Sequence, residues 1–143
     1  MIKKRGQIIK SFIAMLCLVF LLVGCQVKDY SKEGLEIVHN FYESMEAGKF
    51  ERASSFVAPN LRTSIINVGR TLRSANIKTE YSDVQYRVVE NLDNGVVIRA
   101  TYLLTTKSRT INQQERFVME LTLAPVRNSE LSIIAFREIN INN

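Results

Sequence analysis

From Leu35 to Ala75 the apolar residues recur at steps of three and four, and from Val84 to Ile139 they recur at steps of two. The first spacing is that of helices with one buried face, and the second is that of strands with one buried face. A chain that keeps the two patterns in separate halves segregates its helices from a meander of strands joined by short turns. The pattern predicts an α+β fold: three N-terminal helices packed on a curved four-stranded antiparallel meander, cone-like in shape.

Local signals place the elements. Ser31 can cap a first helix whose apolar face is Leu35, Val38, Phe41, Tyr42 and Met45, with Gly48 as its stop. A second helix runs from Phe50 to Val57, ended by Pro59, because the residue before a proline avoids the α region. Asn60 caps a third, with a buried stripe of Leu61, Ile65, Val68, Leu72 and Ala75, and Asn76 as a left-handed stop. Arg62, Arg70 and Arg73 point away from that stripe. Val84, Tyr86 and Val88 open the strand half, and Asp93-Asn94-Gly95 is a tight turn. Val96 to Thr106 forms the second strand and residues 107 to 113 a polar loop. The third strand carries Phe117, Met119, Leu121 and Leu123 on one face and is closed by Pro125. Arg127-Asn128-Ser129 turns into a last strand from Leu131 to Ile139.

The formal charge of +5 suggests a nucleic-acid partner, but its distribution argues against one. Lys3, Lys4, Arg5 and Lys10 all precede Cys25 and no Asp or Glu does, which leaves 19 − 4 = 15 basic against 14 acidic residues beyond it. No Lys/Arg cluster with interleaved aromatics remains there to neutralise phosphates. The two cysteines are Cys17 and Cys25, so a disulfide framework is excluded by count.

Lys3, Lys4 and Arg5 are followed by twelve consecutive apolar residues, Phe12 to Val23. A helix needs about 20 to span a bilayer, so this segment has the length of an export signal. It ends in Leu22-Val23-Gly24-Cys25, which resembles the bacterial lipobox. The resemblance implies cleavage before Cys25 and attachment of diacylglycerol to its thiol. Two or more acyl chains give stable anchoring. The expected organisation is a signal peptide over 1–24, a lipidated cysteine with a short tether over 25–31, and a single α+β domain over 32–141. The expected location is the extracytoplasmic face of a bacterial membrane. Gln26 follows the cysteine where many inner-membrane lipoproteins have Asp, which favours the outer membrane if the host has two.

The run from Ile37 to Pro59, IVHNFYESMEAGKFERASSFVAP, is similar to the opening of the nuclear-transport-factor-two-like superfamily, which includes the SnoaL-like proteins. The shared features are a small-Gly pair (Ala47-Gly48), then an aromatic (Phe50), an alanine (Ala53) and a proline (Pro59). The resemblance covers about residues 32 to 139. It implies a cone with a pocket between sheet and helices, in folds that host isomerases, dehydratases, ligand binders and assembly domains. Fold alone does not choose among them.

No catalytic set stands out. His39 is the one histidine; it is either a general base at a pocket rim or a partly exposed surface residue. One His, with no Cys beyond Cys25, excludes a metal site built on imidazole or thiolate. Tyr86 and Tyr102 fall on the core-facing alternation and are the remaining pocket candidates. Asp83 reads as a turn or cap residue before a strand. Glu120 falls on the opposite face, in a cross-strand row with Arg99 or Arg116. Simple alternation sends Val89, Val97, Leu103, Val118, Ile134 and Phe136 to that same second face, which suggests a protein-contact surface. No cofactor is implied. The expected function is a binding or assembly module of the cell envelope, with an envelope protein or a second copy as partner. The alternative is a small-ligand pocket protein or an isomerase- or dehydratase-like enzyme.

Overall fold

The computed structural model describes residues 28–127 and 130–140. The lipobox and Cys25 lie outside these residues, as does part of the Arg127-Asn128-Ser129 turn. Three helices, α1 (Ser31–Glu46), α2 (Phe50–Ser55) and α3 (Pro59–Ser74), precede four strands, β1 (Lys78–Leu92), β2 (Gly95–Lys107), β3 (Asn112–Pro125) and β4 (Leu131–Glu138). The strands form one open antiparallel sheet in the order β1-β2-β3-β4. This is the α+β arrangement that the two spacings predict.

Helix α1 makes the core. Its apolar face places Val38, Phe41 and Tyr42 on the sheet, against Ile98, Ala100, Leu121 and Leu123, all of them buried. At its first turn Gly34 is buried, and a Cβ there would lie 2.7 Å from Val96 Cγ1 and 2.9 Å from Ile98 Cδ1. The backbone of the helix therefore packs directly on the Val96 and Ile98 side chains, with no room for a side chain of its own. Ser31 is not the cap: the helix starts on it, its N–H donates to Asp29 Oδ1 at 2.9 Å, and its hydroxyl donates to Asn91 Oδ1 at 2.9 Å. Gly48, at φ 68°, provides the left-handed turn into α2.

Pro59 does not end the second helix but opens the third, where its missing N–H costs nothing and its fixed φ suits the first position. The link between α2 and α3 instead docks on the edge of β4. Ala58 N–H donates to the Ile133 carbonyl at 2.8 Å, and Ile133 N–H donates to the Phe56 carbonyl at 2.9 Å. That covers part of one sheet edge. Helix α3 lies outside, on α2. The expected stripe is shifted: Gly69 is buried beneath the Phe50 ring, whereas Val68 is 43% exposed and Ala75 is exposed. Asn76, at φ 52°, ends α3 in the left-handed region as its residue type suggests.

Both edge strands carry bulges. In β1 the register shifts between Ser82 and Gln85 and again between Val88 and Glu90. In β4 the extra residue is Ile134, since Leu123 faces Ile133 and Thr122 faces Ala135. A bulge adds one residue and reverses the side-chain alternation beyond it. Asp83 therefore sits inside β1 at φ 51°, not before it. Phe136 turns inward, its ring 5.5 Å from that of Phe41, rather than lying on the second face.

If the α1–β2 approach sets the core, Gly34→Val should cost about 2–3 kcal/mol of unfolding free energy in urea titrations. Lys32→Val, on the exposed side of α1, should change it by no more than about 0.5 kcal/mol. Equal stability of the two variants would contradict the packing described.

Candidate functional site

The sheet has two unlike faces, and the candidate residues divide between them. On the inner face the core-facing tyrosines of β1 and β2 meet α1. Tyr42 lies 5.0 Å from Tyr102, 5.6 Å from Tyr81 and 6.0 Å from Tyr86, ring centre to ring centre. Tyr81 and Tyr102 are 5.2 Å apart, and Phe117 stacks on Tyr102 at 5.8 Å. His39 meets Tyr86 edge-on at 6.0 Å but is itself exposed. Tyr86, Tyr102 and His39 are therefore brought together. Aromatic rings in mutual contact occupy the space between α1 and strands β1 to β3.

Electrostatics keep these tyrosines neutral. Burial pushes Tyr42 and Tyr81 well above the ordinary phenol range, with smaller contributions from Tyr102 on both and from Glu46 on Tyr81. Burial, then Glu46, pushes Tyr86 up to about 12. Tyr102 is raised by burial, opposed by its hydrogen bond with Tyr42 and assisted by Glu138. No buried side-chain nitrogen or oxygen among the described residues lacks a hydrogen-bond partner. Such hydroxyls can donate hydrogen bonds but are poor bases. No group of three or more His, Cys, Asp or Glu among the described residues is placed to hold a metal ion. A groove of about 280 Å³ at the end of α1 is lined by Met45, Glu46, Phe50, Arg73, Lys78 and Thr79, and His39 is not part of it.

On the outer face, four cross-strand partners line up across the whole sheet: Arg87, Arg99, Glu120 and Arg137. Arg99 Nε donates to Glu120 Oε1 at 3.1 Å, and the terminal nitrogens of Arg99 and Arg137 hold one carboxylate oxygen each. Arg116, the other expected partner, is paired with Asp83 at 3.9 Å. The Glu120 side chain is only 5% exposed although no helix among the described residues covers this face. The two guanidiniums lying on it, not depth in the protein, remove it from water. Hydrogen bonds from Arg137 first and Arg99 second hold its carboxyl below the usual carboxylate range. A lowered value in the folded state contributes stability above the unfolded carboxylate range and loses it as pH falls through the folded value.

Beside this row, at the level where both edge strands bulge, the outer face sinks into a depression of about 380 Å³. Val89, Val97 and Ala135 contribute its apolar surface, and Glu90, Glu120 and Arg137 its polar surface. Val89 and Ile134 are 43% and 38% exposed. The sequence pattern indicates the apolar character of this face but not Arg137 or Tyr81. The bulges break the alternation that would have shown Arg137 opposite Glu120 and Tyr81 on the same face as Tyr86. No family model matches the chain, and no curated protein matches it.

The tyrosine cluster has a measurable consequence. The neutral forms are favoured in the folded state, so their contribution is complete below the unfolded tyrosine value of about 10 and is lost as pH rises through the folded values. Alkaline titration followed by phenolate absorbance should show fewer than the five tyrosines ionising near pH 10 in the folded chain, the rest appearing together with unfolding. Reversible ionisation of all five near pH 10 would contradict the packing.

Proposed function

We propose that this chain is a membrane-anchored extracytoplasmic lipoprotein whose domain serves as a binding or assembly module of the cell envelope. The anchor rests on the lipobox-like Leu22-Val23-Gly24-Cys25 at the end of an apolar segment of signal length. Among the described residues no helix is long and apolar enough to cross a membrane. The short stretch between Cys25 and Ser31 keeps the domain near the bilayer surface. The order of three helices followed by a four-stranded meander is the one the nuclear-transport-factor-two-like resemblance implies, and membership of that superfamily is part of this proposal.

The observation that carries the binding role is the outer sheet face. Among the described residues no helix covers it; it holds a depression lined in part by exposed Val89, and it carries a row of arginines around one carboxylate. Exposed apolar surface with placed polar groups is the character of a contact surface. The small-ligand or enzyme alternative has less support. Its candidates, Tyr86, Tyr102 and His39, adjoin a cluster of aromatic rings in mutual contact, and burial raises the hydroxyls of Tyr86 and Tyr102.

Crosslinking of the intact protein in its native membrane, read by mass spectrometry, should give a dominant partner protein or a second copy, and Cys25→Ala should accumulate as uncleaved precursor without lipid. Normal maturation of Cys25→Ala would remove the anchor. Recovery of the wild-type chain without any crosslinked protein would remove the binding role and return weight to the aromatic cluster.

A further inference from the structure

The cross-strand row on the outer face is unbalanced. Across the sheet it reads Arg87, Arg99, Glu120, Arg137, three guanidiniums to one carboxylate, a formal 3 − 1 = +2. Glu120 is already occupied by Arg99 and Arg137. Arg87 is exposed and has no carboxylate partner among the described residues, and its direct cross-strand neighbour is Arg99. Like charges directly opposite one another in an antiparallel pair are destabilising. The Arg99 side chain is 25% exposed and that of Arg137 is 74% exposed, so both guanidiniums remain reachable. One level along the strands lies the apolar part of the depression, Val89, Val97 and Ala135.

We propose that this face docks an acidic segment of a partner protein, which places a carboxylate between Arg87 and Arg99 and an apolar side chain in the neighbouring depression. A guanidinium presents paired N–H donors that match a carboxylate, and such charge-assisted bonds are about twice as strong as neutral ones. A carboxylate at that point would separate the two arginines and complete an alternating row across the sheet. A second copy using the same face would bring one arginine row against another, because an isologous contact pairs a patch with itself. A uniformly anionic lipid surface would meet Glu90 and Glu120 within the same patch as the arginines. A discrete carboxylate beside an apolar side chain avoids both conflicts. This inference rests on the binding-module reading and specifies the partner's chemistry.

The test uses the full chain in neutral detergent micelles and a fluorescent peptide of alternating Leu and Glu as probe. Binding by anisotropy is expected, weakened about tenfold by Arg87→Gln or by replacing the peptide's Glu with Gln. Val89→Glu should weaken it similarly, and Arg70→Gln on α3 should leave it unchanged. Absence of binding, or equal loss in Arg87→Gln and Arg70→Gln, would overturn the proposal. So would either of two results sensitive to Arg87→Gln: binding of phosphatidylglycerol vesicles in place of the peptide, or self-association in sedimentation. A dominant crosslinked partner in the native membrane, with no peptide binding to this face, would overturn this inference alone and leave the binding-module reading standing.

Discussion

At Gly34 helix α1 has no side chain of its own, so its backbone packs directly on the Val96 and Ile98 side chains of β2, and the rest of the domain is arranged around that approach. From there Val38, Phe41 and Tyr42 run along the inner face of the sheet, so one helix of 16 residues supplies most of what the strands bury against. Because α1 does this almost alone, α2 contributes a short flank and α3 sits on α2, with Gly69 its one buried residue. Apolar burial, at about 25 cal/mol per Å², is therefore concentrated in one layer between α1 and the strands.

That arrangement makes the two faces of the sheet different in kind. The inner face receives a helix bearing Tyr42 and answers with Tyr81, Tyr86 and Tyr102, whose rings close the space that a ligand would need. Burial raises their hydroxyls above the ordinary phenol range and so favours the neutral form, which suits packing better than proton transfer. Among the described residues the outer face receives no helix. It keeps a desolvated Glu120 by laying two arginines over it, and its cross-strand row keeps a formal excess of positive charge. A membrane anchor at the N-terminal side of α1 would hold this second face in the envelope without involving the core, which is the physical sense of the proposed binding role.

The architecture was legible because each half of the chain has a single period. Three helices, four strands and their meander order follow from spacing and turn residues such as Gly48, Asn76 and Asp93-Asn94-Gly95. What spacing cannot carry across is a bulge. Asp83 has a positive φ inside β1, so Tyr81 and Tyr86 face the same way although an odd number of steps separates them. The extra Ile134 turns Phe136 inward and sets Arg137 opposite Glu120. The Arg99–Glu120 pair was within reach because the β2–β3 turn fixes it, although a polar loop read as residues 107 to 113 leaves that register uncertain by a residue. Pro59 misled for a related reason: the same residue that ends one helix can begin another, and only the docking of Phe56 to Ala58 on β4 decides which.

Native-state hydrogen exchange on the intact chain tests most directly whether the α1–sheet layer is the core on which everything else depends. Amides of Val38 to Tyr42 and of Val96 to Tyr102 should exchange only through global unfolding, with one common free energy, while those of α3 exchange through a smaller opening that leaves the sheet intact. Protection of α3 equal to that of β2, or loss of α1 protection while β2 remains closed, would contradict the account.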